Sequence, residues 1–343
     1  MGMRPFAPLR MQLGDAIHMS DMELRHEVAR NKVVVIANKD IAVEPYVRLI
    51  RRLGTPVLHV LEQFCLKDYR EVLAITNVYK EDRPLGVHDG GAYWHTDMSY
   101  KTANTVFTSM LSVQVPALRG ETEFMDCVAG LQAVQQWMNS RECPQFIQAL
   151  DLDALDVYHS FGNRDVLRNA DAKSQALNDS EVRHVDGAVL HPLVAVHPLS
   201  GARSLYATAG TSMRIKGLPD DLARHVLDTL LDFLVLHAPR YEHRYTPGDI
   251  VIWDNFSTMH RGPVIPKSVG GDDARLLYRM NVDFIEDGHH DENDCCPDAP
   301  LPEFCQCHSL EDAARHLQNG TDRRSCGCTA RQDRVAYVGD YSS

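Results

Sequence analysis

The sequence predicts a mainly β protein with flanking helices, arranged as a double-sheet roll. Three observations predict it. Short runs rich in β-branched residues recur between residues 32 and 284. Turn signals such as Ser200-Gly201 and Pro247-Gly248 break them up. Only a few stretches carry apolar residues at the spacing of a helix. The inside of such a roll is a cavity, where side chains from strands remote in sequence can converge.

Taken in order, residues 20–30 read as a helix, with Ser20 as N-cap and Glu23 placed for a capping box. The run at 32–37, Lys-Val-Val-Val-Ile-Ala, is a buried strand. Residues 43–53 read as a helix closed by Gly54. Strands follow at 72–78 and at 105–115, the latter ended by Pro116. Residues 131–138 suggest a helix on a crossover. Residues 163–186 are polar and lack a period, as in a loop that covers a site. Strands are expected at 189–197 and 204–207. Residues 218–237 read as one helix, with Leu222, Val226, Leu230, Phe233 and Leu234 at helical spacing. After the turn at 245–249, the strand 250–253 delivers Asp254 to its end, and 276–284 is the last strand. No internal repeat is present.

Composition narrows the function. The 343 residues are 44% hydrophobic and 24% charged, which is globular. A net charge of −12 argues against a general nucleic-acid binder. No apolar run suits a membrane span, and the N-terminus lacks the apolar centre of a signal peptide. The expectation is a cytoplasmic protein without membrane or nucleic-acid partners. A homo-oligomer is a reasonable prior for a soluble enzyme.

His95-Thr96-Asp97 is the most informative motif. Alternation along a strand would place His95 and Asp97 on one face, where both reach one ion. A lone His-x-Asp is a weak signal, because short motifs recur by chance. His260 strengthens it, following the strand 250–253 and the turn at Asp254-Asn255. Two imidazoles and a carboxylate can hold a divalent iron on one face and leave the other open. His88 is near enough for a supporting or substrate contact, while His289 and His290 stand in an acidic, solvated segment. Arg275 and Arg279, four apart, would share a strand face, and a guanidinium inside a cavity calls for an anion.

These elements together resemble the taurine and 2,4-dichlorophenoxyacetate dioxygenases, a branch of the Fe(II)/2-oxoglutarate-dependent oxygenases. The resemblance covers roughly residues 20–285. It rests on Trp94-His95-Thr96-Asp97, Gly120-Glu121-Thr122-Glu123-Phe124, the middle stretches 191–194, 197–198 and 201–206, Gly248 to Asn255 with His260-Arg261, and Arg275 to Arg279, in that order. It implies a double-stranded β-helix, that is, a jelly-roll, cupin-like fold. His95, Asp97 and His260 would ligate iron. Arg275 would pair with the distal carboxylate of 2-oxoglutarate, Thr122 would hydrogen-bond it, and Arg279 would be a second anion contact, to cosubstrate or to an acidic substrate. The implied reaction consumes O2 and 2-oxoglutarate, releases succinate and CO2, and oxidises a C–H bond of a small, anionic or zwitterionic molecule. Hydroxylation is the default outcome, with desaturation or cyclisation on the same ligands. Asp97 argues against the halogenating variant, which lacks that carboxylate. The interval from His260 to Arg275 is long for the family, and Gly270-Gly271-Asp272-Asp273 looks like an inserted turn.

The chain divides into a dioxygenase domain, 1–286, and a Cys-rich extension, 287–343. Six of the nine cysteines lie beyond residue 294. Cys305, Cys307, Cys326 and Cys328 are candidates for a structural Zn(II), although Cys-x-Cys is tighter than the usual spacing. The competing reading is a set of reduced or disulfide-paired cysteines. Two other functions fit parts of the pattern: a zinc hydrolase with the same His/Asp/His ligands, and a non-catalytic cupin-like binding protein. Arg275 and Thr122 discriminate, since a hydrolase needs no dicarboxylate clamp.

Overall fold

A computed structural model describes residues 6–39, 42–88, 91–102, 105–117, 120–161 and 188–283. The expected loop at 163–186, the pair His289-His290 and the candidate zinc cysteines lie outside these residues. The chain partitions into Met1–Ile285 and Glu286–Ser343, and the fold described is that of the first unit.

The chain opens with β1 (Leu9–Gln12), α1 (Leu13–His18), α2 (Asp21–Asn31), β2 (Val33–Ala37) and α3 (Val43–Arg51). Short strands β3 (Thr55–Val57), β4 (Leu73–Thr76), β5 (Tyr79–Lys80) and β6 (Arg83–Pro84) lead to the long β7 (Thr105–Gln114) and to β8 (Thr122–Asp126). Next come α4 (Cys127–Met138), α5 (Gln145–Gln148), β9 (Asp156–His159), β10 (Val189–Pro192), β11 (Val194–Val196), β12 (Arg203–Leu205) and β13 (Ser212–Ile215). The last part is α6 (Asp220–His237), β14 (Arg240–His243), β15 (Ile250–Asp254), β16 (Thr258–Arg261) and β17 (Leu276–Asp283).

Two sheets form the roll. The larger runs β1-β2-β15-β7-β17-β3, with β4 also paired to β17; the smaller is β14-β8-β16. Every pair in them is antiparallel except β1 with β2. The apolar runs of β2 and β15 are continuous because both faces are buried. Val34, Ile36, Ile250 and Ile252 pack with residues of α1, α2 and α3. Val33, Val35, Val251 and Trp253 face inward and meet Phe124 of the smaller sheet. Such two-sided burial replaces alternation with an unbroken apolar run. On the smaller sheet, Met125 and Met259 face the other way, onto α4 and α6.

The capping box of α2 forms: Ser20 Oγ accepts from the Glu23 amide while Glu23 accepts from the Ser20 amide. The crossover helix begins earlier than expected, at Cys127. Asp126 caps it, its carboxylate accepting from Val128 and Ala129 amides at 3.0 Å. The expected strand 189–197 is two strands. β10 pairs with β9 and β11 with β12. The change of partner falls at Pro192-Leu193, where the Leu193 amide donates instead to Leu155 O at 2.8 Å. Proline has no ladder donor, so a break there costs little. The inserted turn is a 3-10 turn, Gly271–Asp273, fastened by Ala117 N donating to Asp272 O at 3.0 Å.

Candidate metal centre and adjoining cavity

His95 and Asp97 do not sit on a strand. His95 makes a single antiparallel bridge with His260, its amide donating to His260 O at 3.0 Å and its carbonyl oxygen accepting from the His260 amide at 2.9 Å. The chain then turns, with Met98 at φ 59. Ser99 Oγ donates to Thr96 O at 3.2 Å and holds that turn. Bridge and turn, rather than strand alternation, bring the Asp97 carboxylate back beside His95. The bridge itself joins two ligands that are far apart in sequence.

His260 stands on β16, opposite Phe124 of β8. Directly opposed residues share a sheet face, so His260, Phe124 and Thr122 all point into the roll. The next pair, Arg261 and Glu123, faces outward, where Arg261 Nε donates to Glu123 Oε2 at 3.0 Å.

Candidate ligand atoms of His95, Asp97 and His260 all lie within 4.8 Å of one another. His95 Nε2 is 3.8 Å from Asp97 Oδ1, and His260 Nε2 is 3.6 Å from Asp97 Oδ2. His95 Nδ1 donates to Tyr93 O at 2.8 Å. That bond fixes the tautomer and leaves the Nε2 lone pair for a metal. Asp97 Oδ2 is buried without a hydrogen-bond partner. An orphaned carboxylate oxygen between two imidazoles is what a divalent cation would satisfy, so the residues fit a metal.

Electrostatics agree. Burial opposes the charged form of Asp97, but Arg279, His260 and His95 outweigh it and hold the carboxyl well below its usual range. Burial, and then His95, push His260 down to about 3. Burial likewise lowers His95. Two neutral imidazoles and one ionised carboxylate are the protonation states that bind cations.

A cavity opens beside the three ligands, bordered by His95, His260, Thr122, Met110, Arg275 and Arg279. The Arg275 backbone amide donates to Asn77 Oδ1 at 2.8 Å. Asn77 Nδ2 donates in turn to Pro266 O at 2.9 Å and Asp273 O at 3.0 Å. One asparagine thus ties the inserted turn to the start of the arginine strand. Arg275 precedes β17 instead of lying on it, and it borders the same cavity as Arg279. Arg279 stands differently from a plain anion contact: Nη1 donates to Asp97 Oδ1 at 2.9 Å, which commits part of its charge to the metal-ligand carboxylate.

A second recess, bordered by Asp97 itself, is walled by Tyr93, Tyr100, Phe161 and Thr211. His59 and Arg279 border both spaces. The sequence offered no sign of His59, which follows a three-residue strand without a motif around it. Tyr100 and Phe161, edge to face at 4.7 Å, were equally silent, as an isolated aromatic is most often core. His88 sits at the cavity margin, its Nε2 2.8 Å from Ile265 O. Asp254 is no ligand. It is wholly buried against His197, with Nε2 to Oδ2 at 3.2 Å, and accepts from the Phe256 amide at 2.8 Å to shape the turn before β16.

Among the described residues no helix is long and apolar enough to cross a membrane. The description of the taurine catabolism dioxygenase TauD, TfdA family matches residues 4–280. Pentalenolactone F synthase of Streptomyces arenae is 27% identical over 251 residues, covering 71% of this chain and 79% of that protein. The alpha-ketoglutarate-dependent 2,4-dichlorophenoxyacetate dioxygenase of Cupriavidus pinatubonensis is 29% identical over 201 residues, 57% of this chain and 64% of that protein. In fold, a putative alpha-ketoglutarate dependent 2,4-D dioxygenase from Burkholderia xenovorans superposes with a TM-score of 0.60 at 21% identity, over 82% of this chain and 94% of that one.

Proposed function

The chain belongs to the TauD, TfdA family and is an alpha-ketoglutarate-dependent dioxygenase, and we propose that it uses Fe(II) held by His95, Asp97 and His260. The observation that carries this assignment is the buried Asp97 Oδ2, unpartnered within reach of two imidazoles. Imidazole and carboxylate with open positions suit Fe(II). Bound there, the metal would supply the oxidising chemistry, drawing on O2 and on the conversion of 2-oxoglutarate to succinate and CO2.

The protein's own residues bind and orient. Arg275 is buried at the cavity wall, where its guanidinium would receive the distal carboxylate of 2-oxoglutarate; planar forked donors match a carboxylate. Thr122 offers a hydroxyl on the same wall. Arg279 helps keep Asp97 ionised and holds its other oxygen, Oδ1. A hydrolase with the same ligands would have no use for Arg275 and Thr122 together.

The second recess is assigned to the oxidised substrate, a small molecule. Tyr100 and Phe161 would wall its apolar body. An anionic or zwitterionic group would meet His59 and Arg279, which border both spaces beside the ligand His95. Hydroxylation is the default outcome of this chemistry, and desaturation or cyclisation would use the same ligands.

Succinate release from 2-oxoglutarate under Fe(II) and O2, screened across small carboxylates, sulfonates and amino acids, tests the assignment. Asp97→Ala should lose more than the about 10–100-fold that changes to supporting residues cost. Undiminished turnover in that variant would remove Asp97 from the metal site.

A further inference from the structure

A second hydroxyl stands behind Thr122. Tyr245, in the turn between β14 and β15, is buried, and its hydroxyl oxygen lies 2.9 Å from Thr122 Oγ1. Its other contact is the thioether of Met110, at 3.5 Å, a weak acceptor. Met110 and Thr122 border the cavity, and the phenol reaches it through them. The ring has little freedom. It stands edge-on to His243, centroids 4.6 Å apart and planes at 87°. His243 is held by Tyr241 OH at 2.9 Å and by Asp249 Oδ2 at 3.4 Å.

Two hydroxyls can share one hydrogen bond in two ways. If Thr122 donates, its lone pairs face the cavity and the Tyr245 proton is left to a thioether. If Tyr245 donates, the Thr122 proton is free for an acceptor in the cavity. A carboxylate accepts and never donates, so only the second arrangement welcomes one. Burial also keeps the phenol above its ordinary range, so the proton it must donate is in place at neutral pH.

We propose that Tyr245 is a positioning residue for the cosubstrate: it donates to Thr122 and thereby turns the Thr122 hydroxyl into a donor toward 2-oxoglutarate. This rests on the assignment of Thr122 and Arg275 to that ligand. Tyr245 touches neither cosubstrate nor metal and acts only through Thr122. The role needs the phenolic oxygen, so phenylalanine would fill the space without performing it.

The test measures 2-oxoglutarate binding to the Mn(II)-loaded full-length protein by calorimetry, alongside steady-state turnover with Fe(II). Tyr245→Phe is expected to raise the Kd and the KM for 2-oxoglutarate by about fivefold to thirtyfold, equivalent to about 1–2 kcal/mol and so on the order of one intramolecular hydrogen bond. The kcat at saturating 2-oxoglutarate should stay within about twofold, since the lost term is ground-state binding. In a Thr122→Val background the same substitution should add nothing, the signature of action through one partner. Thr122→Ser, which keeps the hydroxyl, should retain affinity. An unchanged Kd in Tyr245→Phe, or an undiminished effect in the Thr122→Val background, would overturn the proposal. If Thr122→Val and Arg275→Leu both leave the Kd unchanged, the cosubstrate assignment itself fails; if they raise it and Tyr245→Phe does not, only the role of Tyr245 fails.

Discussion

His159 shows how far burial can set a residue's chemistry. It is wholly buried at the end of β9, with Nδ1 3.0 Å from Thr211 Oγ1. Thr211 Oγ1 lies in turn 2.7 Å from Ser99 Oγ, which holds the turn that carries Asp97. Burial, and then the neighbouring His191, push His159 from 6.5 down to about 3. The unfolded chain therefore takes up this proton near pH 6.5, and the folded chain not until about pH 3. Between those values unfolding binds a proton, so the contribution is full above pH 6.5 and is lost as the pH falls toward about 3. Its slope is about 1.4 kcal/mol per pH unit for one proton. Urea unfolding of metal-free protein across pH 3–7 should thus show a flatter acid limb for His159→Asn than for the parent. Parallel limbs would mean that His159 is protonated in the folded state. None of this was legible from His159 itself, since a histidine in a polar strand declares neither its burial nor its partners.

Elements show where sequence reading succeeds. β2 and β15 were visible because two-sided burial demands an unbroken apolar run, and the cap of α2 because its chemistry is local. The smaller sheet is less legible in the sequence. β8, β14 and β16 are four or five residues long and mostly polar outward, so pattern gives them little contrast. The metal ligands were legible as residue types, but their geometry was not: the sequence suggested alternation, and the chain uses a bridge and a turn. That turn is hemmed in by the segment between β12 and β13. Gly210 adopts φ +83, and a Cβ there would meet His95 Cβ at 2.7 Å and His95 Cα at 3.3 Å. Neither the backbone angle nor the space admits a side chain. Gly210→Ala should displace His95 and weaken Mn(II) binding by about tenfold or more, on the scale of supporting-residue changes, with far-UV dichroism unchanged. Equal Mn(II) affinity by titration would show that the segment yields and that His95 is held by its bridge alone.

At the scale of the whole molecule, metal and fold are coupled. The ligands come from the loop at 95–97 and from β16, so a bound cation ties the smaller sheet to a turn that packing alone must otherwise hold. A cation that binds only the folded chain stabilises it by about 2.7 kcal/mol at a hundred times its Kd. For a domain of this size that corresponds to a rise of about 4–5 °C in Tm. The cysteine-rich extension offers a second, separate claim on metal. Thiolates favour Zn(II), whereas two imidazoles and a carboxylate suit Fe(II), so one substitution should separate the two sites. Asp97→Ala should abolish the rise in Tm with Mn(II) and yield protein free of iron. If Cys305, Cys307, Cys326 and Cys328 hold Zn(II), the same variant retains about one zinc per chain. Replacing those four cysteines by serine then removes the zinc and leaves the Mn(II)-dependent rise intact. Elemental analysis of parent and variants decides it: zinc absent from the parent as well would end the zinc assignment, whereas zinc present in the parent and lost with the iron in Asp97→Ala would place it at the histidines.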